Sequence, residues 1–229
     1  MFIELVDALR CPVPHEESWL VAATGRMKDR HIVDGTLGCP VCQATYPIRD
    51  GTVDMRGDAS ATAESTFATG EDAGLRLAAL LDLADASGFA LLLGAWGGAA
   101  DAVMAHAECP LLLVDPPGSV RARTGISIVR TAGAVPIAAG AARAVALDLP
   151  VGDEASPRIA SAVRAVRQGG RIVGPVALAL PAGATELARD ATAWVAEREP
   201  MPSPPVTLHV RRGVVGAVQP PEPRPPAGS

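Results

Sequence analysis

From Leu75 onward the chain alternates two kinds of pattern, and that alternation limits its fold more than any other feature. LRLAALLDLADA (75–86) spaces Leu77, Leu80, Leu81 and Ala84 as on one helix face, and GFALLLGAWGG then gives a short apolar run that ends in glycines. The unit recurs. Residues 99–107 predict a helix, CPLLLVDPPG a second apolar run that stops at an acid, 126–130 and 144–147 two more strands, 157–167 a helix, and GGRIVGPVALAL a further strand. Short, wholly apolar runs suit strands buried on both faces. Strands alternating with helices through Gly or Pro turns imply βαβ crossovers, so the predicted class is α/β, a mostly parallel sheet with helices on both faces. A second helix is predicted near 186–197, a late edge strand in PPVTLHVRR (204–212), and an extended or disordered Pro-rich tail over 213–229.

The first 56 residues have a different character. An opening amphipathic turn (Phe2, Ile3, Leu5, Val6, Leu9) leads to Cys11, and GCPVCQATYPIRDGTVDM reads as a metal knuckle followed by a short strand and turn. RGDASATAESTFATGEDAG then supplies a polar, small-residue stretch. The predicted organisation is therefore a ribbon-like domain over 1–56, a linker over 57–74 and an α/β domain over 75–212. A chain of 229 residues that is 48% hydrophobic can bury cores for both. A net charge of −5 gives no strong nucleic-acid signal, because phosphate neutralisation needs clustered Lys and Arg, although a local basic patch is compatible with it. The start, MFIELVDALRCP, lacks a basic segment followed by an apolar one, and no apolar run is long enough to span a bilayer; a cytoplasmic protein without a membrane partner is expected.

Three of the four cysteines, Cys11, Cys39 and Cys42, lie in the first fifth of the chain, which suits a metal site better than a disulfide framework. Cys39-Pro-Val-Cys42 has knuckle spacing: two thiolates can face one ion while the turn's amides point at the sulfurs. With Cys11 and His15 it would complete a Cys3His structural zinc site. The competing reading keeps the cysteines as small buried apolar residues or reactive thiols, with His15 solvated beside Glu16 and Glu17.

LVDALRCP and LGCPVCQATYPIRDGTVDM together resemble the small zinc-ribbon activator subunits of tRNA, rRNA and protein methyltransferases, and the same ribbon fused in front of bacterial methyltransferase domains. The resemblance covers residues 2–56 and is strongest in Cys39–Cys42 and Tyr46–Gly51. It implies a docking and stabilising module that works through a protein partner or self-association. The family's first knuckle reads Cys-Pro-x-Cys, whereas Pro14 stands here in place of its second cysteine.

Residues 75–212 are similar, in the order of their elements, to a Rossmann-like class I S-adenosylmethionine-dependent methyltransferase. That resemblance implies a cofactor turn at Gly94, Trp96, Gly97 and Gly98 after the first strand, and Asp115 ending the second strand, placed for the ribose hydroxyls. Two departures stand out. The family's Gly-x-Gly-x-Gly turn has Trp96 at its central glycine, and the acid that precedes it is Leu92. An indole there would occupy cofactor space, which implies weak or absent S-adenosylmethionine binding. Asp115-Pro-Pro-Gly118 follows the second strand, not the fourth, so it reads as a ribose-side or rigid proline turn; after the fourth strand stands Asp148-Leu-Pro-Val151.

Plainer readings accompany each of these. The glycines can simply make a tight strand-to-helix turn, Asp115 can cap the next segment, and His106 and Cys109 have no orienting partner in sequence. Arg158, Arg164 and Arg167 read as one solvated helix face, or as a phosphate-binding one. A dinucleotide oxidoreductase is disfavoured by the imperfect glycine pattern and by the lack of a catalytic Tyr-Lys or His pair. The sequence thus predicts a non-catalytic or regulatory methyltransferase-like protein, with an active methyltransferase of unknown substrate as the alternative.

Overall fold

The computed structural model describes residues 1–57, 71–148 and 155–200. A 3-10 turn, Ile3–Ala8, opens the chain and is followed by β1 (Val21–Lys28), β2 (His31–Gly38), β3 (Thr45–Arg49) and β4 (Thr52–Asp54). Then come α1 (Glu71–Leu80), β5 (Ala90–Leu93), a 3-10 turn at Gly94–Ala99, α2 (Ala100–Met104), β6 (Leu111–Val114), β7 (Ile126–Arg130) and β8 (Ala142–Ala146). The last elements are α3 (Ala155–Ala165), β9 (Val166–Pro175), β10 (Ala184–Arg189) and β11 (Ala193–Arg198).

All the described strands join one sheet of order β1-β2-β3-β4-β7-β6-β5-β8-β9-β11-β10. From β4 to β9 every pairing is parallel, and antiparallel hairpins close both ends. The parallel strands run outward from β5 in both directions, as in a doubly wound sheet. The order therefore reverses between β5 and β8, and the crevice beyond the carboxyl ends of those two strands is where such sheets take ligands.

Side-chain parity along the parallel strands divides the core into two layers. Ala90 and Leu92 of β5, Leu111 and Leu113 of β6, and Ala144 and Ala146 of β8 pack with Leu77 and Leu81 at α1 and Val103 of α2. Their neighbours Leu91, Leu93, Leu112, Val114 and Val145 pack on the opposite face with Ala162 and Val163 of α3. That second layer also takes in Met1, Leu5, Val6 and Leu9. The opening segment is thus part of the α/β core. Backbone bonds tie it down further: Ala138 N donates to Ala8 O (2.8 Å) and Arg10 N to Pro136 O (2.9 Å). Beyond this layer, β4 extends the parallel sheet in register with β7, pairing Thr52 with Ile128 and Asp54 with Arg130.

Several sequence expectations change. The first helix starts at Glu71, ahead of Leu75, and ends at Leu80. The helix expected near 186–197 is the β10–β11 hairpin. β11 places Trp194, fully buried, opposite Gly174, where a Cβ would collide with the indole. Tertiary packing of one large side chain over a glycine outweighs the helical propensity of Ala, Glu and Arg in this segment. The β1–β2 hairpin had no predicted counterpart; it turns through Asp29 and Arg30, both left-handed (φ 47° and 62°), without the usual Asn-Gly or Asp-Gly signal. Residues 204–212 and the tail lie outside the described residues.

Candidate metal centre and cofactor crevice

The crevice between β5 and β8 is built from the residues that follow those strands. Gly94 leaves β5 with φ 53°, a conformation that favours glycine. Its open side does not face empty space. The Asp148 carboxylate, just past β8, lies where a Gly94 Cβ would be, and its Oδ2 accepts the Ala95 N–H at 2.9 Å. Trp96, half-buried, donates from Nε1 to the Leu147 carbonyl at 2.9 Å, which ties the turn across to the end of β8. Gly97 packs against Pro116, where a Cβ would clash, while Gly98 is exposed beside Pro117.

Asp115 at the end of β6 is buried and itself left-handed, with φ 50°. Its Oδ1 accepts the Thr131 N–H (2.9 Å) and its Oδ2 is ion-paired with Arg158 Nη1 (2.7 Å). Arg158 therefore does not lie on a solvated helix face, since its side chain is 16% exposed; Arg164 is exposed, and Arg167 belongs to β9. Cys109 is buried, and burial pushes its thiol pKa up, as expected of a packing residue.

In the ribbon, the loop between Arg10 and Trp19, which form an isolated bridge, brings Cys11 and His15 against the Cys39–Cys42 turn. The four ligand-type atoms lie within 4.8 Å of one another. Cys11 Sγ is 3.6 Å from Cys42 Sγ, and His15 Nε2 is 3.5 Å from Cys39 Sγ. Tetrahedral zinc bonds of the usual length would set sulfur–sulfur edges of about 3.8 Å and sulfur–nitrogen edges of about 3.6 Å, so the donor set fits. Pro14 leaves the loop its turn, and His15, one residue later, supplies the fourth donor atom.

Hydrogen bonds orient the donor atoms of this group. His15 Nδ1 donates to the Glu16 carbonyl at 2.5 Å, which turns Nε2 toward the Cys39 sulfur. Burial pushes the Cys39 thiol up, but the backbone N–H groups of Cys42 and Val41, followed by the Cys42 and Cys11 thiols, bring it down to about 6. The Cys11 thiol is raised by burial, against a bond from the Tyr46 hydroxyl at 3.2 Å. Burial and that same bond hold the Tyr46 phenol well above its ordinary pKa.

Residues 3–51 match the protein family described as "Trm112p-like protein". The N-terminal ribbon is a Trm112p-like domain. No curated protein matches the chain. Among solved structures, it is similar to a chain from a complex between the Haloferax volcanii Trm112 methyltransferase activator and a candidate methyltransferase. The identity there is 14% and the TM-score 0.36, over 45% of this chain and 51% of that one. The antibiotic-resistance methyltransferase Kmr shares 18% identity with a TM-score of 0.37, covering 60% of this chain and 98% of its own. A candidate S-adenosyl-L-methionine-dependent methyltransferase from Methanococcus maripaludis shares 9% identity with a TM-score of 0.39, covering 61% and 98%.

The structure brings Gly94, Trp96, Gly97 and Asp115 to one end of the sheet, and gathers Cys11, His15, Cys39 and Cys42 in the Trm112p-like domain. Sequence reasoning missed the roles of the two residues that engage Ala95 and Asp115. Asp148 had a readable signal, an acid directly after an apolar strand, but its role depends on β5 and β8 being neighbours. Arg158 had none, because its partner is 43 positions away. Among the described residues no helix is long and apolar enough to cross a membrane.

Proposed function

We propose that the protein is a non-catalytic or regulatory methyltransferase-like protein, with its Trm112p-like domain docked onto its own sheet as a stabilising module. One observation carries the reading: the positions that should receive S-adenosylmethionine are engaged by the protein's own groups. The Ala95 N–H is bonded to Asp148, the Trp96 indole is bonded to Leu147 O across the turn, and the acid expected to hold the ribose is ion-paired with Arg158. A ligand would have to displace each of these, and replacing a buried charge-assisted bond is costly.

Cys11, His15, Cys39 and Cys42 would hold a structural zinc ion, whose binding would contribute folding energy to the ribbon. The β4 edge and the opening turn of the ribbon are engaged within the chain. A separate protein partner would then meet the remaining exposed apolar face, which carries Trp19, Val21 and Val41. The four free cysteines suit a reducing, cytoplasmic setting. The reading that keeps an active methyltransferase draws on the left-handed backbone of Gly94 and Asp115, because strained positions collect at ligand sites.

Equilibrium dialysis against S-adenosylmethionine with Trp96→Gly and Trp96→Phe variants separates the two. A crevice closed by the indole should gain affinity in the glycine variant and not in the phenylalanine one. If neither variant gains while the parent protein binds at micromolar levels, the crevice is functional as it stands.

A further inference from the structure

The carboxyl ends of β4, β6 and β7 hold a cluster of charges that extends outward from the Asp115–Arg158 pair. Asp54 and Arg130 are register partners at the ends of β4 and β7, and Met55 N donates to Arg130 O at 2.8 Å. Asp115 ends β6 beside them, its N–H on Val129 O at 2.9 Å. The guanidinium groups of Arg56, Arg130 and Arg158 gather around the two carboxylates, and Arg121 acts on Arg130 from the loop side. Arg56 grips Asp54 with two bonds, Nε to Oδ1 at 3.0 Å and Nη2 to Oδ2 at 2.6 Å, and Arg158 holds Asp115. Arg130 donates to the Pro116 carbonyl, and Arg121, on the loop before β7, to the carbonyls of Gly118 and Val120.

Among the described residues, four cations (Arg56, Arg121, Arg130, Arg158) stand against two anions (Asp54, Asp115), an excess of two positive charges in a chain whose net charge is −5. Among the described residues, Arg130 and Arg121 bond only to main-chain carbonyls. Arg130 is half-buried; burial lowers its pKa, and Arg56 and Arg121 press in the same direction against the carboxylates. Like charges held together at a partly desolvated site are relieved by an anion. A guanidinium has five N–H donors and matches phosphate oxygens with a planar fork, so most of Arg130's donors remain for a ligand. The cluster also lies at the carboxyl ends of parallel strands, the end of the sheet at which open α/β folds bind ligands.

We propose that Arg56, Arg121 and Arg130 form a binding site for a phosphate group, at the rim of the sheet and separate from the Gly94–Trp96 turn. The group could belong to a free nucleotide-type anion or to a nucleic-acid backbone. Calorimetric titration of the full chain with pyrophosphate, and separately with a short single-stranded RNA at two salt concentrations, tests the site and identifies the source. Saturable binding is expected, weakened about tenfold or more by Arg121→Gln and by Arg130→Gln, but unchanged by Arg167→Gln, an exposed arginine on β9. Tighter binding of pyrophosphate assigns a free anion. Tighter binding of RNA, falling steeply with salt, assigns a backbone. Arg121 is exposed and bonded only locally, so its variant should fold normally even if Arg130→Gln does not. The proposal is overturned if neither probe gives saturable heat up to about 10 mM, or if Arg121→Gln binds as the parent does.

Discussion

At the scale of single residues, the account turns on side chains that stand where a glycine would leave room. Trp96 and Asp148 do so in the crevice, and Trp194 does so in the core, where Gly174 gives it space. Gly174→Ala should therefore cost about 1–3 kcal/mol, seen as a lower midpoint in thermal unfolding, because the fully buried indole must shift. The Arg158–Asp115 pair supports a second expectation. Removing the guanidinium with Arg158→Met takes the ion-pair partner from a buried carboxylate, at a cost of about 3 kcal/mol. The double change Arg158→Met with Asp115→Leu should recover part of that loss in the same chemical-denaturation measurement, since the carboxylate is removed together with its ion-pair partner.

At the scale of elements, the β10–β11 hairpin depends on a carboxylate. Asp190 Oδ1 accepts the N–H groups of Thr192 and Ala193 and the Thr192 hydroxyl, and its Oδ2 meets Arg76 of α1. The backbone bonds from Thr192 and Ala193 chiefly hold its carboxyl well below the usual carboxylate range. A depressed folded-state pKa stabilises the protein above the ordinary carboxylate pKa, and that contribution fades as pH falls toward the depressed value. Asp190→Ala should then melt below the parent at pH 7, with the gap closing as the pH is lowered through about 4 and beyond.

This hairpin also marks the limit of what the sequence could reveal. The central parallel strands were legible because ALLL and LLLV are apolar on both faces, a pattern with few other uses. β10 is almost wholly exposed and rich in helix formers, so its strand character comes from β11 and Gly174, which no local window contains. The same holds for β1, exposed along nearly its whole length. For the candidate sites, the cysteine spacing of the ribbon was readable. The roles of Asp148 and Arg158 were not, since Asp148 meets Ala95 only because β5 and β8 are neighbours and Arg158 meets Asp115 only through the packing of α3.

On the scale of the whole molecule, the Trm112p-like domain and the α/β layers share one sheet and one core. Loss of metal from Cys11, His15, Cys39 and Cys42 should accordingly be felt beyond the ribbon. Treatment with a strong zinc chelator, or Cys42→Ser, should lower the thermal midpoint of the entire protein in a single transition, and metal analysis of the parent should give about one zinc per chain. Two separate transitions, with only the smaller one shifted, would instead mean that the ribbon is energetically independent.

The reading of the crevice is tested most directly by calorimetric titration of the unaltered protein with S-adenosylmethionine. Groups of the chain that occupy the Gly94 turn and hold Asp115 should leave no measurable heat of binding up to millimolar ligand. Saturable micromolar binding at one site per chain would contradict the account, because Trp96, Asp148 and Arg158 would then have to yield to the cofactor at little cost.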